Sequence, residues 1–382
     1  MTRVQISPYI LVWAVNRASK NKEVRLTFPH WDKWVSGEIN PTFNQIEKLS
    51  QMTAVPLGFF FLDKPPKELL SIPFYRTLND DSNENPSPEL LDSLYAMERR
   101  QEWMHSYYAS IGYDQLDFIG TASTLGTPRN IARDMREKLG LTHGWAASSP
   151  TWQHALQQLV EKIEDQRITV VINGIVGNNT HRKLNVHEFR GFALVDDFAP
   201  IIFVNGADGK AAQMFTLAHE LAHLWYGQSA VFDLASLQPA QINIETACNE
   251  VAAEFLVPEA EFRHMWQQAN TDSEPFQEIA KYFKVSEIVI ARRALDIGVI
   301  STTKYIYFFN KRMEADKKQS SEEGGGNFYA IQPNRVGRNF ARTVFCALKE
   351  GRMLYTDAYR LTGLRGNSFS KFASYLGFGG DL

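Results

Sequence analysis

Cysteine is nearly absent from this chain: Cys248 and Cys346 are the two among 382 residues. Two cysteines give no disulfide framework and suit a reducing cytoplasm. No run of 18 apolar residues occurs, so no membrane-spanning helix is expected. The opening stretch MTRVQISP has no apolar segment of signal-peptide type, so a secretory leader is not expected either. Charge of one sign is also scarce, with a net charge of −3. No internal repeat stands out, which argues against a solenoid. At 44% hydrophobic and 22% charged, the composition is that of an ordinary soluble protein of two or three domains.

Against this plain background one segment carries chemistry. Residues 215–226, FTLAHELAHLWY, place H-E-x-x-H in an apolar run without glycine or proline, which predicts a helix. His219 and His223 are one turn apart, so both imidazoles lie on one helix face and suit a shared metal ion. Glu220 projects beside them and is the candidate general base for a metal-activated water.

A catalytic zinc needs three protein ligands and an open position. The segment 244–258, IETACNEVAAEFLVP, has apolar residues at helical spacing and a proline to stop it. Glu245 lies at its start, 22 residues after His223, an interval that fits a loop between two helices. Glu250 and Glu254 are rival ligands. They sit about 500° and 900° of helical rotation from Glu245, off its face, and read as solvated surface carboxylates.

The two strings FTLAHELAH and ETACNEVAAEFLVP, with the strand-like PIIFVN at 200–205 before them, resemble the ImmA/IrrE metallopeptidase family. The resemblance covers roughly residues 165–260 and implies Glu245 as third ligand. It also implies a gluzincin-like core, a small mixed sheet packed against helices. Cys248 stands where the family usually has alanine, and reads as a small buried residue. The implied ion is Zn²⁺, with Mn²⁺ also compatible with imidazole and carboxylate ligands. The implied partner is a specific protein substrate, often an XRE-type repressor, or a cognate toxin in a toxin–antitoxin module. The side-chain oxyanion donor stays open among Tyr226, His143 and His187.

Residues 1–65 form a helical unit. The string WVSGEINPTFNQIEKLS at 34–50 is similar to part of XRE-type helix-turn-helix domains, and Thr42 reads as an N-cap. Eight basic and five acidic residues make a weak phosphate footprint, and Pro29 interrupts the presumed recognition segment Leu26–Lys33. DNA is therefore a possible partner that is not favoured here.

The expected organisation is an α+β, helix-rich protein. It has an HTH-like domain at 1–65, a linker and helical connector at 66–126, a metallopeptidase domain at 127–300, and a flexible segment with a basic C-terminal helical region at 301–382. Helices are expected over Ile10–Ala18, Leu90–Ile119, Pro128–Leu139, Thr151–Asp165 and Phe340–Leu354, with a further short one at Asp357–Leu361. Strands are expected at Ile168–Asn173, Phe189–Val195 and Ile201–Val204. The polar stretch 77–89 reads as a linker and Asn310–Asn327 as a flexible solvated segment. The alternative to a peptidase is an antitoxin or transcriptional regulator that keeps the peptidase core as a scaffold.

Overall fold

The structure is a computed structural model that describes residues 2–66, 86–232, 243–269, 275–318 and 328–379. The chain divides into two compact units, one drawn from Met1–Ser71 and Asn79–Leu94, the other including Tyr95–Leu382.

The first unit is built on four short helices: α1 (Pro8–Arg17), α2 (Asn21–Thr27), α3 (Trp31–Val35) and α4 (Phe43–Thr53). Ile10, Leu11, Val24, Trp31, Trp34, Ile46 and Leu49 fill its core. Pro29 separates α2 from α3, and Phe28 before it is extended at φ −121°, as a residue preceding proline must be. Thr42 opens α4, where its N–H donates to Gln45 Oε1 at 2.8 Å.

α5 (Pro88–Ser110) carries the chain into the second unit. Of the expected linker at 77–89, residues 77–85 lie outside the described residues, and Pro88 and Glu89 already belong to α5. α5 stops short of the expected Ile119. The chain beyond it is held otherwise: Leu116 N–H donates to Asp197 O at 2.7 Å, and Arg167 Nη1 to Asp114 O at 2.9 Å.

α6 (Ala122–Leu125), α7 (Pro128–Lys138) and α8 (Trp152–Glu164) follow. Thr127 and Thr151 cap α7 and α8 by accepting from Asn130 and His154 N–H. The strands are β1 (Thr169–Asn173), β2 (Ile175–Val176), β3 (Asn179–Lys183), β4 (Gly191–Leu194), β5 (Ile201–Asn205) and β6 (Ala230–Phe232). Four of them form one mixed sheet in the order β1-β5-β4-β6, parallel between β1 and β5 and antiparallel elsewhere. β2 and β3 make a separate hairpin. Every residue of β1, β4 and β5 is buried, so helices cover both faces of the sheet.

α9 (Lys210–Tyr226) is buried continuously from Gln213 to Trp225. A helix buried on all sides belongs at the centre of a domain. α9 packs on β4 and β5 and on α10 (Asn243–Leu256). Trp225 stacks on Phe118 at 4.6 Å and donates to Asp134 Oδ2 of α7 at 2.7 Å.

α11 (Glu259–Gln268), α12 (Phe276–Phe283), α13 (Glu287–Asp296) and α14 (Thr302–Lys318) come next. α14 corrects the reading of Asn310–Asn327 as flexible: residues 310–318 are helical, and 319–327 lie outside the described residues. The run from Tyr305 to Lys318 has neither glycine nor proline, Phe308 is buried, and Arg312 pairs with Glu287 of α13 at 3.7 Å. Its many charges do not break the helix, since lysine, arginine and glutamate are good helix formers.

The C-terminal helices are α15 (Phe328–Val336), α16 (Arg338–Lys349), α17 (Tyr355–Thr362) and α18 (Gly366–Tyr375). α16 ends at Lys349, before the expected Leu354, because the chain turns at Glu350-Gly351 and Leu354 becomes the N-cap of α17. α15 and α16 lie against β1. Arg100 of α5 fastens this region, its guanidinium donating to Leu361 O at 3.0 Å and Val336 O at 3.1 Å over the ring of Phe340. Those carbonyls lie near the C-terminal ends of α17 and α15, where a cation is favoured.

Candidate metal centre

α9 and α10 bring His219, His223 and Glu245 together, all buried. His219 Nε2 is 3.1 Å from Glu245 Oε2 and 3.1 Å from His223 Nε2, while His223 Nε2 is 3.3 Å from Glu245 Oε1. Two imidazole nitrogens and the two oxygens of one carboxylate, one oxygen facing each nitrogen, thus close a tight cluster of the three side chains. Tetrahedral ligands about 2.0–2.1 Å from a zinc ion are separated by about 3.3 Å, and one ligand atom from each residue lies within 4.8 Å of the others, a spacing that can hold such an ion. The chemistry of the donors fits as well. Two imidazole nitrogens converge on one buried carboxylate. Lone pairs crowded in this way call for a cation.

Asn249 completes the surroundings. It stands one turn after Glu245 on the same face of α10, and its Oδ1 lies 3.0 Å from His219 Nδ1. A proton on Nδ1, donated to this amide oxygen, leaves the Nε2 lone pair facing the cluster. Burial lowers the pKa of His219, which favours the neutral, ligating form. Burial alone would raise Glu245, but hydrogen bonds and charge from the two histidines hold it at about 2, so it is ionised.

Glu220 stands one position after His219 and three before His223 on α9, and its Oε1 reaches the backbone of Gly191 on β4. Both its oxygens are buried without a hydrogen-bond partner. Burial first, then the charge of Glu245, pushes its pKa well above the ordinary 4.5. Gly191 makes room for it: a Cβ there would lie 3.0 Å from Glu220 Oε1, 2.8 Å from Phe203 O and 2.7 Å from Thr216 Cγ2. The sequence reading named neither Gly191 nor Asn249. The signal for Asn249 was its four-residue spacing from Glu245. Gly191 had no signal, because its strand meets α9 only in the fold.

The rivals separate clearly. Glu250 is exposed. The reading of Glu254 as a solvated carboxylate is corrected: it is largely buried and paired with Arg293 of α13, and it accepts from Glu259 N–H at 3.3 Å. The pairing arises because α13 packs where an isolated α10 would meet water. Cys248 is fully buried, and burial raises its thiol pKa well above the ordinary value. Of the three oxyanion candidates, His143 is exposed and lies 3.9 Å from Glu261, and His187 is exposed on a loop. Tyr226 is half-buried at the end of α9, its pKa pushed up to about 12 by burial, then by Cys248 and Glu250.

The buried group of His219, His223 and Glu245, with Glu220 next to His219 in the chain, is one that could hold a metal ion, as in H-E-x-x-H sites with a glutamate third ligand. The comparison with protein families agrees. Residues 163–295 match the model of the IrrE N-terminal-like domain, Peptidase_M78, a metallopeptidase family. Residues 336–375 match a domain of unknown function, DUF8813. No curated protein matches the chain. Among the described residues, no helix is long and apolar enough to cross a membrane.

Proposed function

We propose that this chain is a zinc-dependent endopeptidase acting on a specific protein. The observation that carries the reading is the tight cluster of His219, His223 and Glu245 with Glu220 unpaired beside it. His219, His223 and Glu245 hold the ion, which is Zn²⁺ in preference to Mn²⁺ because two imidazoles and one carboxylate in a tight cluster favour the smaller, tetrahedral ion. When bound, the ion supplies Lewis acidity at the scissile carbonyl and a more acidic water.

The chain's own residues do the rest. Glu220 accepts a proton from the attacking water and returns it to the leaving amine. Its raised pKa suits the second half of that cycle, and a nearby cation favours the ionised form needed for the first. Gly191 keeps β4 close without displacing the carboxylate. Asn249 orients the His219 ring.

The substrate class we favour is an XRE-type repressor, and residues 1–65 serve as an HTH-like packing or partner-binding unit. Glu220→Gln is the test. The variant should keep one equivalent of zinc, lose proteolysis, and retain its substrate in a pull-down. Loss of zinc from Glu220→Gln would overturn the assignment of roles. A partner left intact by wild type and variant alike would favour the regulator or antitoxin reading, with the core as scaffold.

A further inference from the structure

The last three helices share an aromatic cluster. Phe345 of α16 packs on Phe369 and Phe372 of α18 at 5.1 and 6.0 Å, and Tyr359 of α17 packs on Phe369 at 4.9 Å. The connection between α17 and α18 is three residues, Gly363-Leu364-Arg365. Gly363 takes the left-handed conformation at φ 72°, which reverses the chain directly after the first helix. Leu364 turns inward and is buried. A helix of eight residues, a glycine-led turn of three and a helix of ten reproduce the layout of a helix-turn-helix.

The outward surface has the matching chemistry. α18 has no acidic residue, and its exposed side chains include Asn367, Ser370, Lys371 and Ser374. Arg365 is exposed at its N-cap, and Arg360 is exposed on α17, 3.3 Å from Asp357. Over residues 336–375 there are seven basic and two acidic residues in a chain whose net charge is −3. The positive charge is therefore concentrated here. Asparagine and serine read base edges, and arginine, lysine and a helix N-terminus hold phosphates.

We propose that α17 and α18 form a binding surface for double-stranded DNA, with α18 entering the major groove by its N-terminal half. Charge complementarity selects a polyanion, and a helix, a short glycine-led turn and a second helix are the layout that places the second helix in the groove of a duplex. The surface lies within the segment that matches a domain of unknown function and is separate from the metal centre.

The test is fluorescence anisotropy of the full-length protein with a labelled mixed-sequence duplex, about three helical turns long, over a salt series. Three phosphate contacts, from Arg360, Arg365 and Lys371, predict that affinity falls roughly 40-fold between about 50 and 200 mM salt. Arg365→Ala/Lys371→Ala should flatten the log–log salt slope by about 2 and weaken binding at the lowest salt by about tenfold or more. Both positions are exposed, so the variant should melt and bind zinc like the parent. Lys22→Ala/Lys33→Ala, in the first unit, should bind duplex as wild type does. Three results would each overturn the proposal: no duplex binding at the lowest salt, loss of binding in the Lys22/Lys33 variant with the Arg365/Lys371 variant unaffected, or tighter binding of single-stranded RNA than of duplex.

Discussion

Substituting Gly191 by alanine separates the base from the metal ligands. The new Cβ would lie 2.7 Å from Thr216 Cγ2, 2.8 Å from Phe203 O and 3.0 Å from Glu220 Oε1. Ordinary contacts at carbon need about 3.5 Å, so the neighbours must yield by roughly 0.5–0.8 Å. Phe203 O belongs to β5, whose pairing with β4 resists movement. Thr216 is buried on α9. Glu220 Oε1 has no hydrogen bond to hold it and yields first. Overpacking of this kind costs about 1–3 kcal/mol, and at about 2–4 °C per kcal/mol for a large domain the melting temperature should drop by several degrees. Displacing a catalytic group by up to about 1 Å can cost on the order of 10²-fold in turnover. Zinc affinity, measured by competition with a chromophoric chelator, should stay near wild type, since the cluster is built from α9 and α10 and not from β4. The assay of cleavage uses the partner captured by Glu220→Gln. A variant with wild-type melting and turnover within about twofold would refute the placement of Glu220 against β4.

Other expectations are simpler. His219→Ala, His223→Ala and Glu245→Ala should each lower zinc content, and normal metal in all three would remove the site. Asn249→Ala should weaken zinc binding by about 10–100-fold, the usual cost of losing a partner behind a ligating histidine; unchanged affinity would make the hydrogen bond incidental. Glu164 accepts from Asn339 N–H at 3.1 Å at the start of α16, yet burial outweighs this and Arg338 and pushes its pKa up to about 7. A carboxyl raised in the folded state stabilises below its unfolded value of about 4.5 and loses that contribution as pH rises through about 7, by roughly 3 kcal/mol at most. Urea unfolding at pH 5 and 8.5 should show this drop in wild type and a smaller one in Glu164→Gln; equal drops would place the titration elsewhere.

The elements that were legible were those whose periodicity is set by one buried face. β1 and β5 read directly as short β-branched runs, and α7 and α8 read from their apolar spacing and threonine caps. The β2–β3 hairpin did not, because β3 is NTHRK, a polar, largely exposed strand with no alternation to detect. α14 was lost to its lysines, and α18 was covered only by the general expectation of a helical C-terminal region. Glu254 shows the same limit from the other side. Its charge suggested water, and only the packing of α13 supplies Arg293.

The candidate metal centre was legible on one side only, for a geometric reason. Consecutive helical residues project about 100° apart, so His219 and Glu220 cannot share a wall. The ligand face of α9 meets α10, and spacing within α10 could identify Glu245 because both partners are helical. The base face meets β4, and no local rule connects a helix to a strand residue 29 positions earlier. Any fold using adjacent residues for binding and proton transfer must supply two different neighbours, one rich in donors and one cut back to bare backbone. Asn249 and Glu245 are the first here, and Gly191 is the second. Metal affinity and proton transfer therefore answer to substitutions on two different neighbours of a single helix, which is why Asn249→Ala and Gly191→Ala should fail in different assays.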